Sequence, residues 1–123
     1  MSTSVILGGA RTPFGKLNGA LASLSAVELG ATAIGGAIKR SGVDPALIEH
    51  VIMGQVLQGG AGQIPSRQAA FRAGLDKTVT SETINRVCGS GMRAITLADT
   101  LIRAEGFNLI VAGGMESMSQ APY

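Results

Sequence analysis

Asn85-Arg86-Val87-Cys88-Gly89-Ser90-Gly91-Met92 is the stretch on which the fold turns. Before it, Val79 to Val87 is rich in Val, Thr and Ile, a composition that favours a strand. After it, Gly89 to Glu105 carries the clearest helical pattern, with Ala94, Leu97, Ala98, Leu101 and Ile102 in register and Gly106 as terminator. A strand that passes at once into a helix, with a cysteine at the turn, is a βα junction. At such a junction the unpaired N–H groups and the positive dipole end of the helix point at the turn. Both favour thiolate over thiol at Cys88. The same backbone N–H groups, those of Cys88 and Gly89, are placed to hold the oxyanion that forms when a thiolate attacks an acyl carbonyl. Gly89 and Gly91 carry no side chain to obstruct an acyl group.

Two other readings of this turn stand beside the nucleophile. A lone cysteine often serves as a small buried hydrophobe. Gly89-x-Gly91-x-x-Ala94 also fits the dinucleotide fingerprint, which needs an acidic residue about 20 residues later to hold a ribose. Glu105 falls too early, at the helix end, and Glu116 falls nearer the right place. The fingerprint normally follows the first strand of its domain, whereas here it follows the third.

Working outward, strand and helix signals alternate along the chain. Ser4 to Gly9 is a short apolar run expected to be a buried strand, and Ala10 to Leu24 reads as a loop. Ser25-x-x-Glu28 is a capping box ahead of a helix with Val27, Ala31, Ile34 and Ile38 on one face and Gly42 as its stop. Gly30, Gly35 and Gly36 weaken that helix by about 1 kcal/mol each relative to Ala, which implies close packing against it. Asp44-Pro45 opens a short turn. His50 to Leu57 is strand-like, Gly59 to Gln63 is a loop, and Pro65 to Ala73 is a helix ended by Gly74. Leu109 to Ala112 is apolar at consecutive positions, as expected of a parallel strand covered on both faces. The order β-α-β-α-β-α-β predicts an α/β fold with a mostly parallel sheet. No closing helix follows the last strand, so residues 1–123 are expected to form an incomplete domain.

Composition narrows the function. The chain has 123 residues, 46% of them hydrophobic, enough for one domain with a core. Charged residues are 15%, below the roughly 25% usual for a soluble domain, which points to surface covered by a partner. The net charge of +2 comes from scattered basic residues, and aromatics are 3%, so no nucleic-acid surface is expected. Met1 to Ala10 lacks the pattern of a signal peptide, and no apolar run is long enough to span a bilayer. One Cys excludes a disulfide framework and a Cys-rich metal site, so no metal is expected and a cytoplasmic location is the default.

Four stretches carry a resemblance to a known family. Asn-Arg-Val-Cys-Gly-Ser-Gly-Met-Arg-Ala at 85–94 resembles the thiolase signature around the acyl-enzyme cysteine, and Ala-Gly-Gly-Met-Glu-Ser-Met-Ser at 112–119 resembles that family's second amino-terminal signature. Gly9 to Gly15 resembles its opening; Met53 to Gln58 and Pro65-x-Arg67-Gln68-Ala69 resemble its middle. The likeness runs along the whole chain and is nearest to the acetyl-CoA C-acetyltransferase branch. The resemblance implies a thiolase-like fold, of which 1–123 is the truncated amino-terminal part. It implies that Cys88 takes an acyl group from acyl-CoA as a thioester and that deprotonated acetyl-CoA then attacks it. It also implies acyl-CoA substrates with no bound cofactor, and a homo-oligomeric parent, dimer or tetramer.

The same resemblance places an activating His and a second, proton-exchanging Cys in the carboxy-terminal half. The chain contains one Cys and one His, so the isolated segment is expected not to complete turnover. His50 precedes its strand whereas Cys88 follows its own, which puts the two at opposite ends of a parallel sheet; His50 is expected to be an exposed residue. Arg11, Glu82 and Glu116 are candidates for charge clamps or, at the two glutamates, catalytic carboxylates, with buried structural ion pairs the commoner expectation. Met92, Met115 and Met118 are expected to fill the core or pack loops rather than line an acyl pocket, and Ser90 to cap its helix rather than touch substrate. Arg86 and Arg93 are candidates for CoA phosphates. A β-ketoacyl synthase or hydroxymethylglutaryl-CoA synthase relative is the enzymatic alternative. A truncated, non-catalytic interaction module is the alternative of another class.

Overall fold

A computed structural model describes residues 3–123; Met1 and Ser2 lie outside the described residues. Six regular elements follow one another as α1 (Ala26–Ser41), β1 (His50–Gly54), α2 (Pro65–Arg72), β2 (Thr80–Ile84), α3 (Ser90–Glu105) and β3 (Ile110–Gly114). The three strands form a parallel sheet in the order β2-β1-β3. The chain moves from β1 to β2 on one side, then back across β1 to β3. Because β-α-β crossovers are right-handed, that reversal requires α2 and α3 on opposite faces. They are: α1 and α2 cover Val51 and Met53 on one face, and Ala94 and Ala98 of α3 cover Ile52 on the other. The strand buried throughout is therefore the central one, β1, whereas β3 is an edge strand and half-buried, not covered on both faces as expected.

Local signals explain most helix ends. At α1 the Ser25 N–H donates to Glu28 Oε2 at 2.8 Å while the Glu28 N–H donates to Ser25 Oγ at 3.2 Å. Gly42 stops the helix in the left-handed region, with its N–H on the Ile38 carbonyl. A Cβ on Gly30 would lie 2.5 Å from the Met115 sulfur, so this glycine admits the loop after β3. Gly35 faces open space, and packing does not explain it. Arg67 of α2 donates to the carbonyls of Val79 and Lys77, which ties α2 to the entry of β2.

Ser4–Gly9 is not a strand. Strand pairing needs a neighbour for every second N–H and C=O, and this segment pairs with neither sheet edge among the described residues. It packs instead at the end of α1, where a Cβ on Gly8 would meet Ser41 at 3.0 Å, and leaves Val5, Ile6 and Leu7 exposed.

The capping box has a consequence for acid stability. Glu28 is held down to a pKa of about 2 from the usual 4.5, first by the Ser25 backbone N–H, then by the Ser25 hydroxyl and Arg72. A carboxylate whose folded pKa is depressed stabilises the fold above its unfolded pKa, and that contribution is lost as pH falls toward the folded value. Glu49 and Asp76, lowered chiefly by the backbone N–H groups of Asn108 and Thr78, act in the same direction. Denaturant unfolding from pH 6 to pH 2 is expected to show stability falling below about pH 4.5, with a shallower fall in Glu28→Gln. Equal slopes for the two proteins would remove Glu28 from the account.

Candidate active site

Parallel pairing puts the carboxyl ends of all three strands together, Gly54 beside both Ile84 and Gly114. Loops leaving that edge line a cavity of about 580 Å³, whose walls include Arg11, Phe14, Val56, Cys88, Glu116 and Met118. Clefts at the carboxyl ends of strands are the usual ligand position in open α/β sheets. Cys88 is a free, exposed thiol on this wall, one residue past the left-handed Val87 and two before α3. Exposure removes the reading of Cys88 as a buried hydrophobe.

Val87 sets the turn. Its φ of 53° is a conformation that costs a β-branched residue about 1–2 kcal/mol, and three groups hold it. The Val87 N–H donates to Asn85 Oδ1 at 2.9 Å. Ser90 Oγ donates to the Val87 carbonyl at 2.6 Å and accepts from the Arg86 N–H at 2.8 Å. The Ser90 N–H closes onto the same Val87 carbonyl at 3.1 Å. Ser90 is thus the first residue of α3 and a latch for the turn, not a side-chain cap, and Gly89 is the N-cap residue. The Gly89 N–H, expected to face an oxyanion, donates to the Arg86 carbonyl at 3.1 Å. The Cys88 N–H makes no hydrogen bond among the described residues.

Three glycines seat α3 at this edge. A Cβ on Gly54 would lie 2.5 Å from Ser90 Cβ and 2.6 Å from Ser90 C, and a Cβ on Gly114 would lie 3.3 Å from Gly91 Cα. The start of α3 therefore rests directly on the ends of β1 and β3, which no side chain at 54 would permit. Glu116 makes no ion pair among the described residues. Its carboxylate accepts from the Val56 N–H at 2.8 Å and the Leu57 N–H at 3.3 Å, joining the loops after β1 and β3. That use leaves it unfit to hold a ribose, and the dinucleotide reading loses its acidic partner.

His50 lies at the other end of the sheet, opposite Thr80 and Ile110. Four residues of β1 separate it from the Cys88 edge, about 13 Å at about 3.3 Å each. It is 7% exposed, not exposed as expected. Its ring packs on Phe107, Nδ1 meets Thr80 Oγ1 at 2.6 Å, and Nε2 meets Glu82 Oε1 at 3.2 Å. Glu82 is thus paired with His50, while Arg11 donates to the Thr12 carbonyl and stacks on Phe14. Met115 is buried in the core as expected; Met92 and Met118 are exposed, and Met118 lies on the cavity wall. Arg86 and Arg93 flank the Cys88 turn, Arg86 exposed and Arg93 half-buried. No metal-binding cluster of His, Cys, Asp and Glu occurs among the described residues, and no described helix is long and apolar enough to cross a membrane.

The sequence reading missed Asn85, Val87 and Gly54 as parts of the site. Asn85 had a readable signal, since an Asn side chain commonly accepts from the N–H two residues on. Gly54 had none, because its close approach to α3 is made with a segment distant in sequence; Val87 misleads, because a β-branched residue argues against the left-handed backbone that its neighbours Asn85 and Ser90 hold.

The chain is an α/β protein with a thiol on a tight strand–turn–helix junction, over a cleft at the carboxyl edge of a parallel sheet. The chain belongs to the thiolase family: residues 4–123 match the family model for the thiolase amino-terminal domain. It is 58% identical over its full length to a probable acetyl-CoA acetyltransferase of Mycobacterium tuberculosis, covering 31% of that protein. It is 51% identical, again over its full length and 31% of the relative, to the acetyl-CoA acetyltransferase of Escherichia coli. Against that of Yarrowia lipolytica the figure is 48% with the same coverage. The chain thus spans about a third of the length of these relatives, aligned with their thiolase amino-terminal region.

Proposed function

We propose that this chain is the nucleophile-bearing segment of an acyl-CoA:acetyl-CoA C-acyltransferase. The observation that carries the proposal is the exposed Cys88 thiol at the start of α3, on the wall of the cavity at the sheet's carboxyl edge. In the first half-reaction the Cys88 thiolate attacks the carbonyl carbon of an acyl-CoA. The oxyanion of the tetrahedral species is held by backbone N–H, to which this chain contributes that of Cys88. Collapse breaks the carbon–sulfur bond to CoA, and the CoA thiolate leaves with the proton that Cys88 gave up. In the second half-reaction acetyl-CoA, deprotonated at its methyl group, attacks the Cys88 thioester. The new carbon–carbon bond expels Cys88 as thiolate and yields a 3-ketoacyl-CoA. Free CoA runs the sequence backwards. Covalent catalysis divides one hard step into two easier ones.

Each half-reaction needs a group to move a proton. The only histidine of the chain is engaged with Thr80 and Glu82 at the far end of β1, and the only cysteine is the nucleophile. The 123-residue segment alone is therefore not competent for turnover. Acetoacetyl-CoA formation by the purified segment at a rate near that of a whole thiolase would overturn this part of the proposal. Brief exposure of the intact protein to acetyl-CoA is expected to add one acetyl group, mapped by mass to Cys88; an adduct on any other residue overturns the assignment. A homo-oligomer is the setting that the low charge content and the exposed Val5, Ile6 and Leu7 support. The thiolase match and the names of the relatives favour this activity over the related synthases.

A further inference from the structure

We infer that Ser90 is a positioning residue for Cys88, acting through the strained backbone of Val87; the inference rests on the assignment of Cys88 as acyl acceptor. Three observations carry it. Val87 immediately precedes the nucleophile and sits at φ 53°, a region that valine leaves unless held. The Ser90 side chain is 5% exposed, and both capacities of its hydroxyl are used on the turn: donation to the Val87 carbonyl at 2.6 Å and acceptance from the Arg86 N–H at 2.8 Å. Asn85, itself exposed, accepts from the Val87 N–H at 2.9 Å and so grips the same residue from the other side. Val87 is 64% exposed, so packing of its own side chain does not impose the conformation.

The logic is mechanical. With the latch in place, Cys88 projects at the start of α3 with its own N–H free for an oxyanion. Without the Ser90 hydroxyl, Val87 relaxes toward negative φ, and the rotation is transmitted through one peptide to the Cys88 sulfur and N–H. Strain of this kind persists where the surroundings over-determine it, and it concentrates at functional sites. A shift of about 1 Å in a reacting group lowers a rate about 100-fold.

The test is a rescue experiment on the intact protein. Ser90→Ala is expected to lower the limiting rate of acetyl transfer from acetyl-CoA to Cys88 about 100-fold, with half-saturation unchanged, and to slow alkylation of Cys88 by iodoacetamide. Adding Val87→Gly is expected to recover most of both losses, because glycine adopts positive φ without penalty. A hydroxyl that only stabilised the helix would not be rescued by a glycine at 87. Since Ser90 is buried, Asn85→Ala provides a second route at an exposed position. It is expected to slow both reactions, with Asn85→Asp, which keeps the acceptor, close to the native protein. Ser90→Ala and Asn85→Ala proteins that fold and react at native rates overturn the inference, as does failure of Val87→Gly to rescue either. Absence of acetyl transfer to Cys88 in the native protein overturns the acyl-acceptor assignment alone, because the alkylation arm still decides the role of Ser90.

Discussion

Cys88→Ala is expected to abolish acetyl transfer to the protein, with the limiting rate down on the order of 10⁴- to 10⁶-fold, as when an enzyme loses its nucleophile. No second group stands ready to replace it. Cys88 is the only thiol in the chain, Ser90 has both hydrogen-bonding capacities of its hydroxyl engaged in the turn, and His50 is at the far edge of the sheet. Stability should change little, because the side chain is exposed and exposed substitutions usually fall within about 0.5 kcal/mol. The measurement is intact mass against time of exposure to acetyl-CoA, with a denaturant melt alongside. Acetylation of the Cys88→Ala protein at the native rate would place the acyl acceptor elsewhere.

Gly54→Ala carries the second large effect, and here stability and reactivity fall together. The added methyl would stand 2.5 Å from Ser90 Cβ, 2.6 Å from Ser90 C and 2.9 Å from the Gly91 N atom, two of these being backbone atoms of α3. Backbone cannot swing aside as a flexible side chain does, so either β1 or the start of α3 must shift. Overpacking of this kind costs about 1–3 kcal/mol. The element pushed is the one that carries Ser90, so the latch on Val87 opens and Cys88 reacts more slowly. Gly35→Ala, on the open face of α1, is the matched control: no atom lies within 4 Å of its Cβ, and helix propensity favours the change by about 1 kcal/mol. A Gly54→Ala protein as stable and as readily alkylated at Cys88 as the native one would show that the contact between β1 and α3 does not position the site.

These two predictions separate what was legible from what was not. Cys88 was legible because its signal is local: a strand-forming run, a cysteine and a helical pattern meet within a few residues. The capping box of α1 and the stops at Gly42, Gly74 and Gly106 were legible for the same reason, each being a matter of side chain or φ within one turn. Gly54 as a seat for α3 was not, because its partner is 36 residues away in sequence. Glu116 is a comparable case: the backbone groups it binds are 59 and 60 positions distant, and nothing near it distinguishes an ion pair from a backbone clamp. His50 departs from the expectation that a polar residue at a strand entrance is exposed. Here Phe107 covers the ring, and Thr80 and Glu82 satisfy both nitrogens.

By itself the sequence determined the α/β character, the positions of all three helices and of three of the four expected strands, the thiolase likeness and the place of Cys88 at a strand–turn–helix junction. Only the tertiary structure decided that β1 is the buried centre, that Ser4–Gly9 stays unpaired, that Val87 is held left-handed, and that α3 starts directly on Gly54 and Gly114. The division follows from range. Propensity, capping and periodicity act between residues a turn or less apart, and a sequence displays them directly. Strand order and close backbone approach arise where distant segments meet, and they exist only once the chain has folded; the Val87 turn is held by near neighbours, but the valine's own preference conceals it.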